Sequence, residues 1–270
     1  PEAADRLHWG AARGGSAVVP WGEANARWTG NPGAGHDYSR LARQTTSLDG
    51  MSARIEKVLT AGNADPAGPP VHENNTWLVG DDAEVVVIDP AHGADAVDAA
   101  VGGRRVVAVL ITHGHWDHVR EAALFAARHG GVARMHPADH FLWEAELGDA
   151  PFDALSDGDR FPVAGVELVA MHTPGHTPGS TSFVTTLLEP IPGPKGPDRV
   201  ESAVFTGDTL FPGGPGATRW PYSSFGGILA SIETRLFVLP DDTVVHPGHG
   251  GSTSIGAERP HLEEWRARGW

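Results

Sequence analysis

From Met51 onward the apolar and polar positions fall into short runs that predict an α/β chain. Ile55–Thr60, Thr76–Val79 and Glu84–Asp89 read as short strands, Ala94–Val101 as a helix, and Arg105–Ile111 as a buried strand. His118–His129 carries apolar residues at helical spacing and stops at Gly130-Gly131. Val132–His136 reads as a strand, and Pro137 stands at the favoured first position of the next helix. Val163–Met171, Thr181–Thr185 and Ala203–Thr206 read as strands, the last two separated by a Pro/Gly-rich insertion at Leu187–Ser202. Phe225–Leu239 predicts a helix, Thr243–His246 a strand and Ala257–Arg268 a terminal helix. Strands and helices recur in two halves. Two sheets packed face to face, with helices covering both outer sides, would bury these strands.

Residues 1–50 break the pattern. They are rich in Gly, Ala, Arg and Trp, with no sustained period of 2 or 3.6. The expectation is an extension without stable order over residues 1–50, Met51 as the natural start, and one folded domain over residues 51–270. Trp9, Trp21 and Trp28 are the features that favour an ordered arm instead.

Composition narrows the function. A chain of 270 residues, 40% of them hydrophobic, can bury a real core. The formal charge of −14 argues against nucleic acid and anionic membrane surfaces as partners, and leaves a small molecule as the expected one. The absence of cysteine excludes disulfides, thiolate metal ligands and a cysteine nucleophile, and fits a cytoplasmic setting. No apolar run approaches the roughly 18 residues that a membrane helix needs.

The chemistry is concentrated in Thr112-His113-Gly114-His115-Trp116-Asp117-His118, directly after the apolar run Val106–Ile111. Imidazole and carboxylate suit zinc and other borderline divalent metals. On an extended backbone His113 and His115 point the same way, while Asp117 and His118 lie past the turn and can face a second ion. Three further pieces each follow a predicted strand in a Gly/Pro-rich loop: His176 in Pro174-Gly175-His176, Asp208 in Thr206-Gly207-Asp208-Thr209, and His249 in Pro247-Gly248-His249. Each is weak alone. Together, in this order, they form one constellation of metal ligands.

With these motifs the chain resembles the metallo-β-lactamase fold superfamily, and most of all its glyoxalase II-like (hydroxyacylglutathione hydrolase-like) branch. Glu73-Asn74-Asn75-Thr76-Trp77-Leu78, Val87-Ile88-Asp89-Pro90, Thr206–Phe211 and Ser254–Arg259 extend the likeness. The resemblance implies a four-layer αββα sandwich with the site at one edge. It implies a first metal held by His113, His115 and His176, a second held by Asp117, His118 and His249, and Asp208 as the bridge. The histidine after Pro-Gly is the family's ligand, so His172 and His246 are expected to support the ligands from behind, together with the strand-end Asp89. The remaining histidines are expected to be structural or solvated.

The implied activity is hydrolysis by a hydroxide shared between two divalent ions, most simply zinc, with iron or manganese as substitutes. Asp117 would ligate and orient the hydroxide, and Asp208 would complete the catalytic pair. A thioester suits this arrangement, because a thiolate leaves without protonation. Trp77, Phe211, Arg219, Trp220 and Tyr222 are expected to wall the substrate pocket. The positions that carry a glutathione-binding lysine and tyrosine in glyoxalase II are Ala217 and Arg219 here. The expected substrate is therefore an acyl conjugate of another low-molecular-weight thiol, or a different ester. The Arg-rich, Lys-poor composition fits a high-GC bacterium and hence mycothiol. Two alternatives share the ligand types: a persulfide dioxygenase, in which two histidines and one aspartate hold a single iron, and a lactonase.

Overall fold

The apolar runs pair into two six-stranded sheets in a computed structural model that describes residues 53–65, 72–187 and 201–269. The expectation for residues 1–50, and most of the insertion at 187–202, lie outside the described residues. With strands numbered along the chain, the first sheet runs β1 (Arg54–Gly62), β2 (His72–Gly80), β3 (Glu84–Ile88), β4 (Arg105–Leu110), β5 (Ala133–Met135), β6 (Phe152–Ala154). The second has β7 (Arg160–Val163), β8 (Val166–His172), β9 (Thr181–Leu187), β10 (Glu201–Gly207), β13 (Val244–Pro247) and β14 (Thr253–Ser254) in the order β14-β13-β10-β9-β8-β7. A small hairpin, β11 (Leu210–Phe211) with β12 (Gly214–Pro215), follows β10.

Alternation along the strands sorts the side chains into three apolar layers. Trp77, Val79, Val86, Ile88 and Leu110 from the first sheet meet Phe161, Val163, Leu168, Ala170, Phe183 and Phe205 from the second in the central layer. Leu78, Val85, Val87 and Val109 point the other way, against α1 (Ala94–Val101), α2 (Trp116–Val119), α3 (Ala122–Arg128) and α4 (His140–Leu147). On the far side Val169, Met171, Val184, Val204 and Val245 pack against α5 (Phe225–Ser231), α6 (Ile255–Glu258) and α7 (Leu262–Arg268). The fold is the αββα sandwich. Among the described residues no helix is long and apolar enough to cross a membrane.

Four elements differ from their sequence pattern, each for a local reason. The helix expected over 118–129 is two helices. The Asp117 carbonyl accepts Asn74 Nδ2 at 2.6 Å and the Glu121 N–H turns to Ala91 O, so the helical ladder breaks between them. The strand expected over 163–171 is the β7–β8 hairpin, closed by Ala164 and Gly165 with φ of 49° and 78°. The helix from Phe225 widens at Ile232–Leu236, where Phe237 N bonds Ile232 O, five residues back. In the terminal helix Pro260 replaces a hydrogen-bond donor, and a tight turn at Arg259–His261 separates α6 from α7. The strand β6 and the β11–β12 hairpin are too short to leave a periodic signal.

The strands β4, β8, β10 and β13 all end at one edge of the sandwich. Backbone bonds tie their exit loops together: Thr181 N to Thr112 O at 2.8 Å, Gly248 N to Gly207 O at 2.9 Å, and Asn75 N to Gly248 O at 2.8 Å.

Candidate metal centre

The loops that leave these four strands bring all the expected ligand residues to one point. Donor atoms of His113, His115 and His176 form one group, those of His113, His118 and Asp208 a second, and those of Asp117, His118 and His249 a third. Within each group the atoms lie within 4.8 Å of one another. His113 Nε2 is 3.0 Å from His115 Nδ1, which is 3.0 Å from His176 Nε2. Asp208 stands between the groups, one oxygen 3.7 Å from His176 Nε2 and 3.5 Å from His249 Nε2, the other 3.5 Å from His118 Nε2. Asp117 Oδ2 lies 3.4 Å from His249 Nε2.

Hydrogen bonds on the far side of each ring fix its tautomer. His176 Nδ1 donates to Ala217 O at 2.7 Å, and His249 Nδ1 to Glu73 O at 2.6 Å. His118 Nδ1 donates to Asp89 Oδ2 at 2.8 Å. Thr112 gives its own hydroxyl proton to Asp89 Oδ2 at 2.6 Å, so its oxygen accepts from His113 Nδ1 at 3.1 Å. His115 presents Nδ1 inward and donates from Nε2 to the Tyr222 hydroxyl at 2.9 Å. Every ring thus spends one proton outward and turns its other nitrogen to the centre.

Such a centre fits a divalent cation. Five imidazole nitrogens and two carboxylates converge, and among the described residues the buried Asp208 Oδ1 has no hydrogen-bond partner. The electrostatics agree. Burial lowers the His249 pKa and the nearby Asp208 and Asp117 carboxylates raise it, for a net rise to about 11. Burial pushes Asp208 up, but His249 and His118 hold it down at about 2. Burial among like rings lowers His113, and burial with His176 lowers His115 to about 3. The carboxylate side of the centre therefore favours positive charge, and the three-histidine side keeps its rings neutral. The backbone makes room: a Cβ on Gly248 would stand 2.5 Å from both Asp208 Oδ1 and His118 Cε1.

Of the residues expected behind the ligands, Asp89 touches His118 directly and sits at φ 52°, where the turn after β3 aims its carboxylate at Thr112 and His118. His172 instead stacks on His136, with ring centres 4.1 Å apart, and its Nε2 bonds Pro178 O. His246 packs on Trp77 and bonds Ser252. Around the mouth, the Trp220 ring lies 4.4 Å from that of His115 and 5.3 Å from that of His176, and Arg219 covers Trp220. The Phe211 ring lies 6.4 Å from that of His249, with the two planes 26° apart. Tyr222 is buried, with its hydroxyl on His115. Trp77 is 5% exposed in the central layer between the sheets, where its indole N–H bonds Pro247 O. It supports the His249 loop and does not wall a pocket.

Supports to which the sequence reading gave no role surround the centre. Asn74 bonds the Asp117 carbonyl, and Asn75 Nδ2 bonds Pro247 O and Gly250 O, each at 3.0 Å, on either side of His249. Their only signal was an adjacent amide pair in the polar first half of β2. Asp139 bonds three donors in the ligand loops, and nothing in its spacing marks it.

The model of the metallo-β-lactamase superfamily matches residues 69–187. An uncharacterized protein of Mycobacterium tuberculosis is 38% identical over 204 residues, which are 67% of this chain and 88% of that protein. Hydroxyacylglutathione hydrolase GloC of Haemophilus influenzae is 31% identical over 205 residues, 69% of this chain and 90% of the relative. Among solved structures, TTHA1623 in a di-iron-bound form is 30% identical with a TM-score of 0.56, over 75% of this chain and 97% of that one. The BLEG-1 B3 metallo-β-lactamase has a TM-score of 0.59 at 23% identity, over 77% of this chain and 98% of that one, and shares the fold.

Proposed function

This chain belongs to the metallo-β-lactamase superfamily, and we propose that within it the chain is a dinuclear-metal hydrolase of a small-molecule thioester or ester. The observation that carries this reading is the place of Asp208, within 3.7 Å of ring nitrogens from both ligand groups. A mononuclear centre of two histidines and one aspartate would leave most of the remaining inward-facing donors without a role.

His113, His115 and His176 would hold one ion, Asp117, His118 and His249 the other, and Asp208 would face both. When bound, two such ions supply a water-derived nucleophile near neutral pH and an electrophile for a carbonyl oxygen. Zinc, iron and manganese all accept this donor set. TTHA1623 is a relative that holds iron. Asp117 Oδ2, 3.4 Å from His249 Nε2, would face the same ion as that ring, and the second carboxylate oxygen can accept a hydrogen bond from the attacking water and orient it. No serine or cysteine nucleophile is needed.

Trp220 supplies a flat apolar wall on the three-histidine side and Phe211 one on the other. Arg219, exposed above Trp220, can pair with a carboxylate of the substrate's carrier. The likeness to hydroxyacylglutathione hydrolase GloC supports a thioester. Ala217 and Arg219, in place of the glutathione-contacting pair of glyoxalase II, favour a different low-molecular-weight thiol such as mycothiol.

The test is metal content on anaerobically purified protein, followed by a panel of acyl-thiol esters and lactones. Two divalent ions per chain with thioester hydrolysis is the expected result. One iron per chain with oxygen uptake on a persulfide would overturn it.

A further inference from the structure

Asp139 ends the tight turn Pro137–Asp139 before α4 and is completely buried. Among the described residues its carboxylate contacts are three neutral donors. Oδ2 accepts from Gly114 N at 2.8 Å and from the Thr177 hydroxyl at 2.6 Å, and Oδ1 accepts from Gly179 N at 2.6 Å. Gly114 lies between His113 and His115, and Thr177 directly follows His176. Each ligand of the three-histidine group is therefore one residue from a donor that Asp139 holds. The two loops are otherwise far apart in the chain, with Asp139 25 residues from Gly114 and 38 from Thr177.

The packing is as specific as the hydrogen bonds. A Cβ on Gly179 would stand 2.6 Å from Asp139 Cγ, and one on Gly114 would stand 3.0 Å from Asp139 Cβ. Both loops carry glycine where they close onto this carboxylate, and a side chain at either position would push them apart. The other ligand group is supported separately, by Glu73, Asn74 and Asn75 of β2.

We propose that Asp139 is the positioning residue of the three-histidine subsite, a buried carboxylate that sets the spacing of its two ligand loops and so governs metal affinity at that subsite alone. The proposal rests on the dinuclear reading above. Charge and geometry both matter. An asparagine has the same shape, but in either orientation of its amide an NH2 group meets at least one of the two backbone N–H donors, and that donor is left unpaired.

The experiment is a cobalt(II) titration of metal-free protein, followed by visible absorption, with thermal melting of the same metal-free samples. The wild type is expected to bind two ions in resolvable steps. In Asp139→Asn one step weakens 10- to 100-fold, the range for loss of an outer support to a metal ligand, while the other moves less than about threefold. Thr177→Val removes one of the three bonds to Asp139, together with the Thr177–Ser180 hydroxyl contact, and is expected to give a smaller loss in the same step with a modest fall in melting temperature. It keeps the proposal open to refutation should Asp139→Asn fail to fold. Equal weakening of both steps, or wild-type affinities in both variants, overturns the proposal. A wild type that binds fewer than two ions refutes the dinuclear reading instead.

Discussion

The Tyr222 hydroxyl lies 2.9 Å from His115 Nε2, and that contact decides which nitrogen of His115 faces the metal centre. Nε2 carries the proton and donates outward, which leaves the Nδ1 lone pair beside His113 and His176. Tyr222→Phe keeps the packing against Phe141 and Trp220 but deletes the acceptor. The expected result is a 10- to 100-fold loss of affinity for one metal ion, at an almost unchanged melting temperature. Calorimetric metal titration reads it. Unaltered affinity would mean that the hydroxyl does not hold the ring.

Asp208→Ala removes the carboxylate that faces both ligand groups. One bound ion per chain in place of two is expected. Hydrolysis of the best substrate should fall well beyond the roughly 100-fold typical of losing an outer support. Elemental analysis and steady-state rates measure the two effects, and retained activity would refute a two-metal mechanism.

Gly248→Ala places a methyl group 2.5 Å from Asp208 Oδ1 and from His118 Cε1. Overpacking of this kind costs about 1–3 kcal/mol, and here the loop can yield only by moving His249. Lower metal content with a native circular-dichroism spectrum is expected. Full occupancy at wild-type affinity would show that the loop has slack.

Acid stability should depend on half-buried neutral histidines away from the metal ligands. Burial, with His172 beside it, lowers the His136 pKa to about 3 from 6.5. The unfolded chain then binds more protons than the folded one across that window. Stability from this group is complete above pH 6.5 and is lost as the pH falls toward 3. His136→Asn keeps a side-chain acceptor for Ala138 N but does not titrate there. Urea unfolding of metal-free protein at pH 7, 6 and 5 should show a shallower decline for the variant, by up to about 1.4 kcal/mol per pH unit. Parallel declines would assign the acid sensitivity elsewhere.

Much of the fold was readable from periodicity, because sheet faces and helix stripes impose repeats of 2 and 3.6 on the chain. The alternation of Val85 and Val87 against Val86 and Ile88 already separates the outer layer from the central one. Interruptions were unreadable where long-range bonds caused them. The break between α2 and α3 exists because Asn74 takes the Asp117 carbonyl from 43 residues away. The Ala164–Gly165 turn was hidden because an alanine occupies a positive-φ position.

The sequence by itself determined the ligand chemistry. Histidines and aspartates placed just past strand ends must gather wherever those ends gather, and their types select a divalent cation. Only the tertiary structure decided which nitrogen each ring offers, that Trp77 belongs to the core, and that Asp139 closes the two loops of the three-histidine group. Those features depend on partners such as Glu73 for His249, 176 residues apart, and Tyr222 for His115, 107 apart. Hydrogen bonds act over about 3 Å, and no local pattern in the chain encodes which distant residue will arrive within that reach.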